Sequence, residues 1–590
     1  MADFFSTLSE EQQQAVRHAA GPALIVAGPG TGKTRVLIGR ILELVMSRQT
    51  DPSSILAITF TTKAADEMRQ RVDAHLPPRQ AAGMIIGTFH ALGYRVLLEH
   101  AALRQRSAPF SLVDEVSRTH ILKELLPAGS NRALRKTAAA LSAAKHTAAD
   151  LPPEIAAVAR AYNQFLITRN AFDLDDLLRQ TVELWQNHAD ILQVARRRWT
   201  HILVDEFQDT NYLQYRLLRL LCPDATSNLF IIGDPDQAIY GFRGADGYIQ
   251  QLRSDYPGLR SFRLSRSYRC GTLLLQTARQ TLPEPRQPPL SGLSAGMPVK
   301  IACLPTDRSE AEYISRSIEQ LIGGTGFFSF DSGISDGHAP RLFSPGDLAI
   351  LCRTRAQFPL IKGALNQHGI PCQCVSEVPF YHAAACRQLI QLFQSCLNPA
   401  WIAPPHSALP PNFFQRTAEL PLAALLEKLA AHVHGHTPEL WPESVQQLIA
   451  FAAEYTDKRE EFLTLLSLGG GIDTWTRRPE TVSLLTIHAA KGLEFAGVFI
   501  AGCEDGLIPY TIFPEHAGDE TEERRLLYVG MTRAKELLVL CHAQRRRLFG
   551  RNREPRLSHF LDTVDCSVIE PAPTPNSPRR RSKEKQLRLF

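Results

Sequence analysis

The chain has 590 residues, 44% of them hydrophobic and 21% charged. It is too long for one core, its composition is that of an ordinary globular protein, and at about 150 residues per domain it predicts roughly four domains. No apolar run reaches the ~20 residues of a membrane span, and the opening MADFFSTLSEEQQQ has neither the basic nor the apolar region of a secretory signal. The 11 cysteines are scattered, with Cys372-x-Cys374 the one close pair. That spacing argues against a disulfide scaffold or a zinc site and fits a reducing cytoplasm. Six basic residues against one acid in 571–590 account for the whole formal charge of +5. The body is therefore neutral, and any nucleic-acid surface on it must be a local groove.

In chain order, Ser9 with Gln12 three residues on reads as a capping box opening a helix. Residues 22–27 (PALIVA) read as a buried strand, followed by a glycine loop and by helical spacing over 35–45. Residues 55–60 form a second strand, Lys63 to Val72 a helix, and 84–90 a third strand. From 95 to 170 the chain is rich in Ala, Leu and Arg and poor in β-branched residues, which predicts an inserted helical segment. Strands resume at 201–206 and 229–234, each apolar and each ending in carboxylate. A second α/β unit begins with the strand from Lys300, a helix over 309–322 and a strand over 347–352. Residues 323–345 read as an exposed loop. Proline-rich residues 379–480 read as a second insertion, and strands return near 482–488, 498–501 and 537–541. Beyond Cys566 the Pro/Ser/Arg-rich composition predicts disorder.

The chemistry gathers at three places. Residues 28–35 (Gly28, Pro29, Gly30, Thr31, Gly32, Lys33, Thr34 and Arg35) satisfy G-x-x-x-x-G-K-[ST] between a strand and a helix. In that setting backbone N–H groups cradle phosphate oxygens and the helix N-terminus adds positive charge. Lys33 is expected on the β/γ-phosphates and the Thr34 hydroxyl on Mg²⁺. In Val204-Asp-Glu-Phe-Gln-Asp-Thr-Asn, Asp205 is placed to hold Mg²⁺ and Glu206 to take a proton from the attacking water. An adjacent acid pair at a strand end is otherwise simply solvated. In residues 232–245, Gln237 is a γ-phosphate sensor candidate, and Tyr240, Phe242 and Arg243 suit base stacking and phosphate pairing. The bland alternative is that both aromatics are core.

Taken in this order, these residues resemble superfamily 1 DNA helicases of the UvrD/Rep/PcrA type over about 1–566, except near 379–480. The resemblance assigns Gln12 to the adenine-reading motif. It assigns Ile58-Thr-Phe-Thr-Thr-Lys-Ala-Ala-Asp-Glu-Met, with Phe60 and Thr62, and Gly87-Thr-Phe-His-Ala, with His90, to DNA contacts. Phe172-Asp-Leu-Asp-Asp-Leu fits the motif after the first insertion. In Leu264-Ser-Arg-Ser-Tyr-Arg-Cys, Tyr268 would stack on adenine and Arg269 contact the γ-phosphate. In Thr486-Ile-His-Ala-Ala-Lys-Gly-Leu-Glu-Phe, His488 would lie near DNA and Glu494 near the ribose. Arg533, in Glu523-Arg-Arg-Leu-Leu-Tyr-Val-Gly-Met-Thr-Arg-Ala-Lys, would be the arginine finger. Thr62 and Ser267 stand where the family usually has Asn, Cys270 for Ser, Phe242 for Trp and Gly530 for Ala; none removes a catalytic group.

The implied fold is α/β, with two RecA-like parallel-sheet domains (1A, 2A), each carrying a mainly helical insertion (1B, 2B). The expected boundaries are 1–94 and 171–270 for 1A, 95–170 for 1B, 271–378 and 481–566 for 2A, 379–480 for a shortened 2B, and 567–590 for a disordered basic tail. The implied activity is ATP-dependent 3′→5′ DNA unwinding with ATP and Mg²⁺ between 1A and 2A, on single-stranded and tailed duplex DNA, by a cytoplasmic monomer or weak dimer with no membrane partner. A strand translocase with little unwinding, or an ATP switch that recruits repair partners, are the alternatives. The last five residues, QLRLF, resemble the peptide by which bacterial replication and repair proteins bind the sliding clamp, with Gln586, Leu587, Leu589 and Phe590 matching.

Overall fold

The computed structural model describes residues 2–81, 83–126, 129–147, 152–241, 248–323, 343–375, 379–398, 409, 413–417, 419–455, 458–470, 473, 475–513 and 519–572. Phe242, Arg243 and the QLRLF tail lie outside the described residues. The strands, in order, are β1 (Ala23–Ala27), β2 (Ile55–Thr59), β3 (Ile85–Thr88), β4 (Ser111–Val113), β5 (Ala171–Asp173), β6 (His201–Val204), β7 (Asn228–Gly233), β8 (Arg260–Leu264), β9 (Val299–Leu304), β10 (Leu348–Cys352), β11 (Cys372–Val375), β12 (Val482–Thr486), β13 (Phe495–Ala501), β14 (Ala534–Ala543), β15 (Arg546–Leu548), β16 (Arg551–Arg553) and β17 (Ile569–Pro571).

The chain divides into two compact units, Met1–Ser265 with Glu377–Trp475, and Arg266–Ser376 with Thr476–Phe590. Among the described residues, the first unit is built on a parallel sheet of order β3-β2-β6-β7-β1-β8. Its central strands are continuous apolar runs because helices cover both faces. Leu24, Leu56, Ile58 and Val204 pack on one side, and Ile25, Ile55, Ala57 and Leu203 on the other. The second unit has a parallel sheet of order β11-β12-β10-β13-β14-β9-β17, with Leu348, Ile350, Leu484, Phe499 and Val539 on one buried face.

Three edge strands depart from the expected elements, and one of them, β17, lies inside the stretch from 567 onward expected to be disordered and pairs in parallel with β9. β8 reads Arg-Ser-Phe-Arg-Leu and is exposed over most of its length, and β11 reads Cys-Gln-Cys-Val. Neither carries an apolar run, because an edge strand is buried along one flank at most. Cys372 and Cys374 therefore lie two apart on one strand at the sheet edge.

The predicted helical segment in 95–170 contains helices Glu115–Leu125, Asn131–Thr147 and Pro153–Thr168, and its entry and exit pair as β4 and β5. Buried charge ties it to the end of β5 and the first turn of helix Leu174–Asn187. Arg118 sits 2.7 Å from Asp175 and 3.3 Å from Asp173, and Lys145 sits 2.6 Å from Asp173 and 2.9 Å from Asp176. The Tyr162 hydroxyl donates to Asp173 at 3.2 Å.

The second insertion leaves after β11 and re-enters at β12, yet it packs as part of the first unit. Asn398 donates to the Ser111 hydroxyl at 2.8 Å, and Gln394 to the Leu112 carbonyl at 3.3 Å. The Lys63 backbone N–H donates to Asp473 at 2.7 Å, and the Lys63 ammonium lies 3.9 Å from the Trp475 ring centroid. Among the described residues no helix is long and apolar enough to cross a membrane.

Candidate functional site

β1, β7 and β6 are neighbours in the first sheet, so the loops at their carboxyl ends converge. Ligands of open parallel sheets bind at that edge. The loop after β1 turns through Gly30 (φ 72°) and Gly32 (φ 85°), left-handed conformations that a side chain would strain, and starts helix Lys33–Leu42. A Cβ on Gly32 would also meet the Gln12 amide nitrogen at 2.7 Å. Gln12 completes the capping box with Ser9 and donates its amide to the Thr31 carbonyl at 2.9 Å. The Thr31 hydroxyl donates to Gly28 at 2.9 Å. Arg35 donates to the Thr7 hydroxyl and lies 5.8 Å from the Phe4 ring centroid. Gln12 and Thr31 thus tie the loop to the first helices and pre-shape the cradle.

The Lys33 ammonium stands 3.7 Å from the Glu206 carboxylate. Glu206 follows β6 with φ 47°, a left-handed conformation for a residue with a Cβ, the kind of backbone strain that persists where the surroundings over-determine it. Gln208 donates to Glu206, and its carbonyl oxygen accepts the Asp234 N–H at 2.9 Å. Gln237 donates to the Asp234 carboxylate. Gln208 therefore bridges the acid pair after β6 to the Asp234–Gln237 segment after β7.

Asp205 is pushed up to about 7 by burial and then by the Glu206 carboxylate, with Lys33 opposing. Asp234 is pushed up to about 7, first by burial. Buried carboxylates crowded in this way, with the Thr34 hydroxyl on the first turn of the loop's helix, are hard oxygen donors that fit Mg²⁺.

At the carboxyl end of β2, the Phe60 ring stacks on Tyr240 with centroids 5.0 Å apart and planes 21° apart. Tyr240 is buried. The two aromatics read separately as base-stacking candidates form one pair. Thr62 begins helix Thr62–Asp73, capped by Thr61, and His90 lies in the first turn of helix Phe89–Glu99, capped by Thr88.

In the second unit, Arg269 lies 2.7 Å and Lys535 2.6 Å from Glu494. Burial would raise the Glu494 carboxyl, but the two cations hold it down at about 2. Phe495 pairs with Ala534, which places Glu494 and Arg533 side by side at the amino ends of β13 and β14. Arg533 is 2% exposed and donates to Val529 O at 2.9 Å, Leu493 O at 3.2 Å and Thr532 Oγ1 at 3.1 Å. Tyr268 is exposed, and Cys270 Sγ donates to the Ala534 carbonyl at 3.2 Å. His488 sits in the turn after β12.

Three participants have no separate motif in the amino-acid sequence. They are Gln208, Lys535 and Glu11, whose carboxylate accepts the Ser265 N–H at 2.7 Å and Ser265 hydroxyl at 2.5 Å. Their signal is proximity to motifs already found: Gln208 is two residues past Glu206, Lys535 two past Arg533, and Glu11 next to Gln12.

Residues 8–257 match the UvrD/REP helicase N-terminal domain, and residues 262–402 and 422–545 match the UvrD-like helicase C-terminal domain. The chain is 30% identical to the ATP-dependent DNA helicase PcrA of Staphylococcus epidermidis, over 95% of this chain and 87% of that protein. It is 29% identical to DNA helicase II of Escherichia coli, over 96% and 88%. With the phosphate loop, acid pair and aromatic pair assembled on one sheet edge, the chain belongs to the UvrD/Rep helicase family.

Proposed function

We propose that this protein is an ATP-dependent DNA helicase that moves 3′→5′ along single-stranded DNA in the cytoplasm. The observation that carries the reading is the convergence of Lys33, Asp205, Glu206, Asp234 and Gln237 on one sheet edge, with the Phe60–Tyr240 pair on the same edge. Residues 28–34 hold the triphosphate, and Lys33 neutralises its β- and γ-oxygens. Thr34 and Asp205 would hold Mg²⁺, which supplies charge neutralisation to the phosphates. Glu206, fixed by Gln208, orients the attacking water and accepts its proton. Gln237 senses the γ-phosphate and lies three residues before Tyr240, so nucleotide state reaches the aromatic pair through one short segment. Parting the Phe60 and Tyr240 rings by one base thickness would let a base stack between them, a contact of roughly 1–3 kcal/mol. Thr62, His90, His488, Phe242 and Arg243 extend the grip along the strand. Gln12, Arg35, Tyr268 and Glu494 hold the nucleoside, and Arg269 and Arg533 act on the γ-phosphate.

The test is ATP turnover and strand separation on duplexes with a 3′ or a 5′ tail. Turnover stimulated by single strands, with unwinding of the 3′-tailed substrate, is the expected result. Unwinding of the 5′-tailed substrate alone would overturn the polarity. Displacement of streptavidin from a 3′-biotinylated or 5′-biotinylated strand without unwinding would identify a translocase. Turnover indifferent to DNA would leave an ATP switch.

We further propose that Gln586, Leu587, Leu589 and Phe590 bind the sliding clamp. The apolar side chains contribute ~1.5–3 kcal/mol each before ordering costs, so binding is roughly micromolar and is aided by tethering on shared DNA. A chain ending at Lys585 is expected to lose the cognate clamp in a pull-down and to keep DNA-stimulated turnover. Equal clamp retention by both chains would refute this assignment.

A further inference from the structure

In the second unit one carboxylate serves two cations. Glu494 directly precedes β13 and Lys535 lies near the start of β14, parallel strands that place Phe495 beside Ala534. Arg269 Nε donates to Glu494 Oε2 at 2.7 Å, and Lys535 Nζ lies 2.6 Å from the other oxygen, Oε1. Each cation thus holds its own oxygen. Arg269 adds a 3.4 Å bond to the Thr532 carbonyl. The side chains of Arg269, Glu494 and Lys535 are 15%, 43% and 37% exposed, so the cluster is partly covered yet open to solvent. Burial works against the Glu494 charge, and the two cations outweigh it.

The two arginines of this unit assigned to the γ-phosphate are held differently. Arg533 donates to the carbonyls of Val529 and Leu493, which carry no net charge. Arg269 is held by a carboxylate, whose full charge adds a Coulomb attraction that a carbonyl lacks. To reach a phosphate, Arg269 must give up Glu494 Oε2. A carboxylate left alone, half out of water and facing a polyphosphate, is destabilised. Lys535 acts on both sides of that exchange. While Arg269 is in place, Lys535 competes for the same carboxylate and weakens its grip on the arginine. Once Arg269 has left, Lys535 keeps Glu494 neutralised. The phosphate-loop, acid-pair and arginine-finger assignments give Lys535 no other task.

We propose that Lys535 is a positioning residue that releases Arg269 from Glu494 when nucleotide binds, and so sets how strongly the site prefers a nucleoside triphosphate to a diphosphate. This rests on the proposed ATP-dependent function and on the γ-phosphate role of Arg269 within it.

The test uses the full chain with saturating single-stranded DNA and measures kcat/KM for ATP together with the inhibition constant of ADP. In Lys535→Met, Glu494 keeps its hold on Arg269. Its kcat/KM is expected to fall roughly 3- to 10-fold, between the worth of an exposed ion pair and that of a covered charged hydrogen bond. The ADP constant should stay at the wild-type value, because ADP offers Arg269 no γ-phosphate. Lys535→Arg keeps the positive charge and should restore kcat/KM. In a Glu494→Gln background no carboxylate holds Arg269, so adding Lys535→Met should cause no further fall. An equal fall in both backgrounds would overturn the proposal, since Lys535 would then act on the substrate or the fold directly. A parallel weakening of ADP would overturn it, as would wild-type kcat/KM in Lys535→Met. Those three outcomes leave the motor reading standing, because they are read against a wild-type chain that turns over ATP. A wild-type chain without DNA-stimulated turnover would overturn both.

Discussion

Replacing Arg533 with alanine is expected to lower DNA-stimulated ATP turnover by roughly 10³- to 10⁵-fold, the range an arginine finger contributes in phosphoryl transfer. In this structure its guanidinium is buried and bonded to Val529 O, Leu493 O and Thr532 Oγ1. The alanine variant therefore also strands the Leu493 carbonyl, worth about 1–3 kcal/mol of stability when left unpaired, while Val529 O keeps the Thr532 hydroxyl at 3.0 Å. Arg533→Lys separates the two effects. It keeps the charge but loses the fork that spans several oxygens, so a chemical role predicts a large loss of turnover even where the melting temperature is retained. Lys33→Ala is the companion on the first sheet, with turnover expected to vanish and the fold to survive, because the Lys33 ammonium faces the site's carboxylates, 3.7 Å from Glu206, rather than the apolar core clusters. Steady-state turnover with saturating single-stranded DNA decides both. Near-normal rates in Arg533→Ala would remove the finger assignment.

The largest expected effect on stability comes from Lys145→Met. Lys145 is 6% exposed and pairs with Asp173 and Asp176, while Arg118 pairs with Asp173 and Asp175. Three buried carboxylates face two permanent cations. Removing one cation leaves charge buried without a partner, which costs about 3–5 kcal/mol. Denaturant unfolding of the full chain should show the first transition shifted by that amount, and a change below about 1 kcal/mol would show that the cluster is hydrated rather than buried.

The cluster has a pH signature as well. Despite burial, Lys145 and Arg118 hold Asp173 below the ordinary carboxylate range, and a hydrogen bond from His146 with the charge of Arg118 does the same for Asp175. Their contribution is complete above an unfolded value of about 3.9 and is lost as pH falls through the lower folded values. Asp176 has the opposite sign: burial and Asp173 push it up to about 6, so its contribution is present below about pH 4 and is lost as pH rises through 6. Lys145→Met should therefore reduce the acid-side loss that comes from Asp173 and leave that from Asp175, which denaturant unfolding repeated across acid pH checks.

The phosphate loop, the acid pair after β6 and the Gly-Asp-Pro-Asp-Gln segment after β7 were legible because each is local. A buried parallel strand is a continuous apolar run, a phosphate turn needs glycine at fixed positions, and the polar residues just past the run sit at the ligand edge. The helix of residues 62–73 and the helical character of 95–170 were legible from periodicity and composition for the same reason. Edge strands β8 and β11 were not, since half-exposed strands lack an apolar signature.

Pairings between distant segments were beyond any local rule. Phe60 and Tyr240 are each plausible base contacts in the sequence, but their stacking on one another depends on which strand ends the sheet order makes neighbours. Asp173, Asp175 and Asp176 carry no local sign of their partners, and Arg118 and Lys145 arrive from other helices to neutralise them. The second insertion interrupts the second sheet in the chain yet packs with the first unit, through contacts such as Asn398 to Ser111, 287 residues apart. Side-chain hydrogen bonds of that kind have no period and no spacing, so their partners emerge when the backbone is folded. The sequence by itself determined the nucleotide-binding chemistry and the family, because those rest on local geometry. The tertiary structure decided which charges are buried together, where the second insertion packs and which aromatic rings meet, because those depend on long-range packing.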